Sequence, residues 1–163
     1  MENIIIRSLT IKDVEKVLDI LDKFPEAFSV KYVFSKKRGG IKWLLKYVLS
    51  ADDIYDVGSF VLEIGGKVIG HIAYLKDVGC FEGGVYELKA LAVCKDKQQQ
   101  SYGERLIRHA ENALMKIGGR IIKLQTGDAA LIKYYENLGY KVIGEIKNYW
   151  KEGANCFIMS REL

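Results

Sequence analysis

Apolar and polar positions follow two different periods along this chain, and the changes of period predict its secondary structure. A period of two residues indicates a strand, and a period of three to four indicates an amphipathic helix. Helical spacing occurs at residues 11–21, 101–117 and 128–138, and more weakly at 41–48. Seven strand-like runs occur at residues 4–7, 59–64, 67–75, 86–93, 121–125, 140–149 and 156–161.

Turn and cap residues fall where these segments end. Gly65-Gly66 separates two strand-like runs and predicts a tight hairpin, because glycine adopts positive φ at both turn positions. Gly118 follows a helical segment at the place where a left-handed C-cap residue is expected. Thr10 and Asp13 resemble a capping box at the start of the first helix.

The order of the elements predicts an α/β fold in a single domain over residues 1–163. An antiparallel meander comes before strand-helix-strand units, which implies a mixed sheet with helices on its faces. The crossover from Val93 to Ile121 should join parallel strands in the right-handed sense. A chain of this length suits one hydrophobic core, and no Ser/Pro/Gly-rich segment divides it.

Composition narrows the class of protein. The chain has 25 Lys and Arg against 21 Asp and Glu, a formal net charge of +4. These charges are scattered, and so small a surplus does not by itself indicate a nucleic-acid partner. No apolar run approaches the ~18 residues that span a membrane, and the first residues lack the features of a signal peptide. We therefore expect a cytoplasmic protein with no membrane partner.

The number and spacing of the cysteines also fit a cytoplasmic protein. The three cysteines, Cys80, Cys94 and Cys156, are odd in number and form no Cys-x-x-Cys pair. That pattern argues against a disulfide framework and against a zinc site. No metal is expected.

Residues 87–104, which read ELKALAVCKDKQQQSYGE, carry the strongest chemical signal. A strand-like run leads through a charged turn and a glutamine-rich loop into the start of a helix. The first N–H groups of a helix have no partner within it and carry partial positive charge. The sequence therefore predicts an anion site in front of this helix.

Three motifs resemble the GNAT superfamily of N-acetyltransferases. LAV at 91–93 with QQQSYG at 98–103 is similar to the family's acetyl-CoA-binding motif. DAA at 128–130 with YENLGY at 135–140 is similar to its tyrosine-bearing helix, and GKVIGHI at 66–72 to its third strand. The motifs stand in the family's order, and the elements match over nearly the whole chain.

The resemblance implies a mostly antiparallel central sheet of about seven strands with about four flanking helices. Strands four and five would be parallel and splayed, so that the pantetheine of acetyl-CoA pairs with freed backbone. Backbone N–H groups of the glutamine-rich loop would hold the diphosphate. The residues so assigned to the cofactor are Leu91, Ala92, Val93, Gln98, Gln99, Gln100, Ser101, Tyr102, Gly103, Glu104, Asp128 and Tyr135.

The resemblance also implies direct acetyl transfer from acetyl-CoA to a primary amine through a tetrahedral intermediate. The N–H of Leu91 would stabilise the oxyanion. Glu87 would accept the amine proton, directly or through water, unless it is only an edge carboxylate. Tyr135 would protonate the departing thiolate, unless it is only a packing side chain. Its neighbour Tyr134 competes for this role, since adjacent helical residues point about 100° apart.

Ser101 departs from the family pattern, which has glycine there. Glycine lets the backbone approach a phosphate closely. Ser101 and Glu104 also match a capping box, in which case the two side chains would cap the helix and leave no donors for phosphate. The cations that could meet the 3′-phosphate of CoA are Lys95, Lys97, Arg105 and Arg108.

The acceptor and the partners are less defined. Residues 24–57 are rich in aromatic side chains. The resemblance places this segment, together with Tyr149-Trp150, beside the acceptor groove. Three carboxylates of the segment could attract a cationic amine: Asp52, Asp53 and Asp56. Residues 141–161 could form a homodimer. Two other functions stay open: a catalytically idle acyl-CoA-binding or sensor module, and a nucleic-acid-associated protein that uses the basic turn at 36–38.

Overall fold

The computed structural model describes residues 3–24, 57–77 and 83–163, together with Lys42 and Leu45. Several predictions from sequence fall outside these residues and keep that status. They concern the helix near 41–48 apart from Lys42 and Leu45, the basic turn at 36–38, Cys80, and the three carboxylates Asp52, Asp53 and Asp56.

The described elements follow the predicted order. The strands are β1 (Ile4–Ser8), β2 (Val57–Ile64), β3 (Lys67–Lys76), β4 (Val85–Val93), β5 (Ile121–Thr126), β6 (Lys141–Lys151) and β7 (Ala154–Glu162). The helices are α1 (Val14–Leu21), α2 (Tyr102–Lys116) and α3 (Ala129–Asn137), with 3-10 turns at Ile11–Asp13 and Lys95–Lys97. Gly65, Gly66 and Gly118 all have positive φ, so the predicted hairpin turn and helix end are confirmed.

The seven strands form one sheet in the order β1-β2-β3-β4-β5-β7-β6. β4 and β5 run parallel, and the other neighbouring pairs run antiparallel. The parallel pairing is short, from Val85 opposite Ile121 to Glu87 opposite Lys123. Beyond Glu87, β4 pairs with β3 alone in the described structure. The predicted mixed sheet and the splay of its fourth and fifth strands are confirmed.

Helices cover both faces of the sheet. α2 and α3 pack on one face, where α2 buries the apolar side predicted from its spacing: Leu106, Ile107, Ala110 and Leu114. α1 packs on the other face with Val17 and Leu18 fully buried, against Val61 and Ala92 of the sheet. Side chains of β3 and β4 are therefore removed from water on either face. No helix in the described ranges is long and apolar enough to cross a membrane.

The start of α1 is held by Asp13. Its carboxylate accepts hydrogen bonds from the Thr10 backbone N–H at 2.9 Å and from the Thr10 hydroxyl at 2.7 Å. Arg7 also donates to it, at 2.7 and 3.0 Å. The hydrogen bonds from Arg7 are the main cause that lowers the pKa of Asp13 to about 2. The predicted pairing of Thr10 with Asp13 is confirmed.

One buried carboxylate joins α2 to the end of the chain. Glu111 is 3% exposed, and its Oε1 accepts from the Tyr140 hydroxyl at 3.0 Å and from Arg161 at 2.9 Å. Its Oε2 accepts from Arg108 at 2.9 Å. Both arginines also donate to the Leu138 carbonyl, at 3.1 Å from Arg161 and 3.4 Å from Arg108. The cluster therefore fastens α2, the end of α3 and β7 together.

Candidate active site

β4 changes conformation where it leaves β5. The β3–β4 register shifts between His71 and Ala73, so that Ala90 and Leu91 together face one residue of β3. This is a β-bulge. Ala90 has φ of 53°, in the left-handed region that residues other than glycine rarely adopt. The bulge lies in the segment that the resemblance assigns to pantetheine, and it re-aims the backbone there.

A fully buried histidine lies against this bulge. His71 Nδ1 is 3.0 Å from the Ala90 carbonyl oxygen, and its Nε2 is 2.7 Å from the Ser59 hydroxyl. A carbonyl oxygen can only accept, so Nδ1 carries the hydrogen and Nε2 accepts from the serine. Burial lowers the pKa of His71 to about 4, which keeps the ring neutral near pH 7. Sequence patterns had indicated only a histidine within an apolar strand.

The buried histidine predicts a loss of stability in weak acid. The unfolded chain binds a proton at His71 near pH 6.5, and the folded chain does so near pH 4. Between these values the unfolded state holds more protons, so the free energy of unfolding falls as the pH is lowered. At about 1.36 kcal/mol per pH unit, the full window is worth on the order of 3 kcal/mol.

Urea unfolding at a series of pH values measures this loss. His71→Asn removes this titrating group and most of the slope between pH 6.5 and 4; His109, whose pKa is lowered first by burial and then by Lys116, leaves a smaller slope of the same sign. The variant should keep the separate loss between pH 3.8 and about 2, where the lowered pKa of Asp13 acts with the same sign. A wild-type profile as flat as that of the variant would contradict a neutral, buried His71.

Glu87 is placed just before the bulge, in the middle of the sheet and away from its edges. It is 8% exposed, and Lys89 Nζ donates to its Oε1 at 2.6 Å. Cys156 of β7 lies nearby, and the pKa of its thiol is raised, first by burial and then by the negative charge of Glu87. The candidate base is therefore a buried carboxylate with an ammonium partner.

The loop before α2 takes the left-handed conformation at two residues that are not glycine. φ is 62° at Gln99 and 59° at Ser101. Ser101 stands at the N-cap of α2, but its side chain makes no capping hydrogen bond. The side chain of Glu104 is 43% exposed and approaches Arg108 at 3.7 Å. The capping box considered for Ser101 and Glu104 does not form, because side-chain capping requires an extended N-cap backbone.

The start of α2 keeps its N–H groups free of acceptors from the described part of the chain. Within the described residues, the first amide of this helix with a hydrogen bond is that of Arg105, which donates to the Ser101 carbonyl at 3.0 Å. The N–H groups of Tyr102, Gly103 and Glu104 have no acceptor there. Behind them, the Gln98 side chain donates to the Val93 carbonyl at 3.3 Å and ties the loop to β4. The structure thus presents three free donors where the sequence predicts an anion site.

α3 is capped in the ordinary way. Asp128 Oδ1 accepts from the N–H groups of Ala130 at 2.7 Å and Leu131 at 3.4 Å. The backbone of Asp128 is extended, in contrast to that of Ser101. Asp128, which the resemblance assigns to the cofactor, therefore uses Oδ1 to cap its own helix.

Because only Asp128 caps its helix, substitution by alanine should affect stability differently at these two helix starts. Asp128→Ala removes a cap and should lower the free energy of unfolding by about 1 kcal/mol. Ser101→Ala removes no capping bond and should change it by less than about 0.5 kcal/mol. Chemical denaturation of the two variants beside wild type measures both. Equal losses would mean that Ser101 caps α2 in solution.

The two neighbouring tyrosines of α3 point in different directions. Tyr135 is 8% exposed and packs on Tyr140 with ring centroids 5.8 Å apart. Tyr134 is half-buried, and a methyl group on Gly103 would meet its hydroxyl at 3.0 Å. Burial, and then the charge of Glu104, raises the pKa of Tyr134 to about 12, and burial raises that of Tyr135 further. Both hydroxyls are therefore protonated at neutral pH, as a general acid must be.

The candidate cations near α2 differ in how they are held. Arg108 is engaged by Glu111, while the Arg105 guanidinium lies 5.9 Å from the centre of the Tyr102 ring. Both line an open groove beside Ser101. Lys95 lies 5.7 Å from the ring of Phe24, on another side of the loop. Nowhere in residues 3–24, 57–77 and 83–163 do three or more His, Cys, Asp or Glu side chains form a group able to hold a metal ion.

Comparison with known proteins relates this geometry to one family. The sequence profile described as Acetyltransferase (GNAT) family matches residues 17–140. The N-alpha-acetyltransferase of Sulfurisphaera tokodaii is 22% identical over 124 residues, in a match that covers 67% of this chain and 71% of that protein.

Solved structures show the same fold. Ribosomal-protein-alanine N-acetyltransferase from Brucella melitensis superimposes with a TM-score of 0.77 at 17% identity, over 98% of this chain and 99% of that chain. An aminoglycoside 6′-N-acetyltransferase complexed with coenzyme A gives 0.75 at 16% identity, over 97% of this chain and 96% of that chain. At these identities the likeness establishes the fold.

Proposed function

The chain belongs to the acetyltransferase (GNAT) family, and we propose that it transfers the acetyl group of acetyl-CoA directly to a primary amine. One observation carries the proposal: a splayed and bulged β4 leads, through the loop at 94–101, into a helix whose first N–H groups have no acceptor among the described residues. Freed strand backbone suits the amides of pantetheine, and free helix donors suit a diphosphate. The relative solved with coenzyme A has the same fold.

The cofactor would lie along β4 and end at α2. Pantetheine would pair with the backbone of Leu91, Ala92 and Val93. The diphosphate would accept from the loop at 98–101 and from the free N–H groups at 102–104. Hydrogen bonds to a charged group contribute about 1.5–3 kcal/mol each, so a few are enough for useful affinity. Arg105, which no carboxylate of the described chain engages, is our candidate for the 3′-phosphate.

The chemistry then needs three groups. A lysine-like amine has a pKa of ~10.4, so fewer than about one molecule in a thousand is neutral at pH 7. Glu87 takes the proton, directly or through water, and the amine nitrogen bonds to the acetyl carbon. The N–H of Leu91 stabilises the oxyanion of the tetrahedral intermediate. The carbon–sulfur bond breaks as Tyr135 gives its proton to the thiolate of CoA. The second proton of the amine nitrogen then passes through water to the tyrosinate, which leaves a neutral amide and a neutral Tyr135.

Ligand-induced stabilisation is the first test. Acetyl-CoA at about 100 times its dissociation constant should add ~2.7 kcal/mol to the free energy of unfolding, which a thermal shift detects. Acetyl-pantetheine, which lacks the diphosphate, should stabilise far less at the same concentration. No shift with acetyl-CoA rules the proposal out, and equal shifts rule out the diphosphate site. Release of free thiol on a panel of amines then measures transfer and identifies the acceptor.

A catalytically idle acyl-CoA-binding or sensor module is the second candidate function. It is favoured by the ion pair between Glu87 and Lys89, because that pair occupies one oxygen of the proposed base. The thermal shift with acetyl-CoA would be the same in this case. If acetyl-CoA raised the melting temperature but no amine in the panel led to thiol release, the protein would be a sensor and not an enzyme.

The homodimer predicted through residues 141–161 is also a proposal. β6 is an edge strand and leaves Val142, Ile143 and Ile146 exposed, with Ile143 at 63%. Unpaired edge strands with apolar side chains favour pairing with another chain. Sedimentation should give a dimer for wild type and a monomer for Ile143→Lys. A monomeric wild type would exclude the dimer.

A further inference from the structure

We propose that His71, held by Ser59, is a positioning residue that fixes the direction of the oxyanion-binding N–H. The inference rests on the proposed acetyl transfer and concerns residues outside the family motifs of β4 and α3. Its basis is the contact between His71 and the bulge. The Ala90 carbonyl, which accepts a hydrogen bond from His71, and the Leu91 N–H belong to the same peptide unit.

That shared peptide couples the two groups rigidly. All described peptide bonds are trans, so the carbonyl of Ala90 and the N–H of Leu91 point in opposite directions from one plane. Nδ1 of His71 donates to the carbonyl at 3.0 Å. Fixing the carbonyl on the histidine side therefore aims the N–H away from the histidine. A flipped plane would set two N–H donors against each other, which the buried site could not satisfy.

Ser59 supports the form of His71 that the Ala90 carbonyl requires. Its hydroxyl lies 2.7 Å from Nε2 and 3.4 Å from the Ile72 carbonyl, so its hydrogen goes to the ring. Nε2 then stays an acceptor, and Nδ1 is left with the hydrogen. The opposite tautomer would place two lone pairs in contact at Ala90. The chain from Ser59 through His71 to Ala90 thus has one consistent direction of donation.

The surroundings of His71 give no packing reason for an imidazole. Val61 and Ala92 stand opposite it on the two neighbouring strands, and both are buried. An aliphatic side chain would fill such a site without the cost of burying two polar nitrogens. The hydrogen bond from the imidazole to the Ala90 carbonyl explains why a histidine is present, because it holds a bulge whose alanine has positive φ. A fixed donor also needs no reorganisation when charge develops, the property that makes oxyanion sites effective.

Three variants and the wild type test the proposal. His71→Asn places an amide N–H where Nδ1 was and keeps a donor for Ala90. His71→Leu keeps comparable volume and loses the donor. Val61→Ala opens space beside His71 without touching its hydrogen bonds, and so controls for lost packing. For each variant, kcat and KM for acetyl-CoA are measured with the amine found in the panel, together with stability in urea.

We expect kcat to fall roughly 10- to 100-fold in His71→Leu, less than the ~10²–10³-fold lost when an oxyanion donor is removed, because here the donor remains but is no longer held in direction. His71→Asn should recover kcat to within about threefold of wild type, and Val61→Ala should lose stability but keep kcat. In His71→Leu, KM for acetyl-CoA should change less than kcat. Equal kcat in His71→Leu and His71→Asn would overturn the proposal. A wild type without turnover would instead count against acetyl transfer itself.

Nitrogen NMR of the wild type gives a second, independent result. The imidazole should show a protonated Nδ1 and an unprotonated Nε2, and the Leu91 amide signal should move in Ser59→Ala, where Nε2 loses its hydrogen-bond donor and the ring is held less firmly. The reverse tautomer in wild type, or an unmoved Leu91 signal, overturns the proposal. This measurement requires neither enzymatic activity nor the His71→Leu variant, so it tests the proposal even if that variant fails to fold.

Discussion

Replacing Glu111 with alanine should lower the free energy of unfolding by on the order of 3 kcal/mol. Breaking a buried ion pair by removing one partner typically costs 3–5 kcal/mol, because the remaining charge is left uncompensated. Here the arginine side chains of 108 and 161 are 38% and 31% exposed and can regain water, which favours the lower end. The Tyr140 residue is 1% exposed, and its hydroxyl would lose its only acceptor in the described structure.

Glu104→Ala is the matched control for this substitution. It removes a carboxylate from the same helix that faces the same Arg108, but at 3.7 Å and with 43% of the side chain exposed. Exposed pairs of this kind contribute less than about 1 kcal/mol. Urea unfolding followed by circular dichroism measures both. If the two variants lost the same stability, the buried cluster would contribute no more than a surface pair.

The periodic parts of the fold were predictable from sequence because each depends on local spacing. The buried face of α2, with Leu106 and Leu114, was read from its helical repeat, and the hairpin at Gly65-Gly66 from the needs of its turn. The splay of β4 from β5 came through the resemblance to a family. What the sequence predicted least well was where backbone or side chains depart from these local patterns.

Three such departures shape the site. Ser101 reads as an N-cap in sequence, but its left-handed backbone turns the side chain away from the helix donors. Ala90 takes positive φ because of a bulge that only the pairing with β3 reveals. Glu111 reads as an ordinary helical carboxylate, and its partner Arg161 is 50 residues away. Each depends on contacts between segments that are distant in sequence, and the periodicity of apolar residues carries no information about such contacts.

Tyr135→Phe should reduce kcat by about 100-fold or more while the affinity for acetyl-CoA stays within a few-fold of wild type. Proton transfer by a positioned group typically contributes 10²–10⁴-fold, and phenylalanine removes only the hydroxyl. The ring, packed on Tyr140, would keep its place. Isothermal titration with acetyl-CoA and the rate of thiol release give the two numbers.

Tyr134→Phe is the decisive comparison, because the two tyrosines are adjacent and each loses one oxygen. The Tyr134 hydroxyl lies toward Gly103 at the start of α2, so its loss should weaken acetyl-CoA binding more than kcat. Tyr135 has no hydrogen-bond partner for its hydroxyl among the described residues, and no polar side-chain atom there is both sealed from solvent and unpaired. The hydroxyl of Tyr135 is therefore uncommitted within the described structure, as a proton donor to a thiolate must be. If Tyr134→Phe lost kcat and Tyr135→Phe kept it, the roles of the two residues would be exchanged.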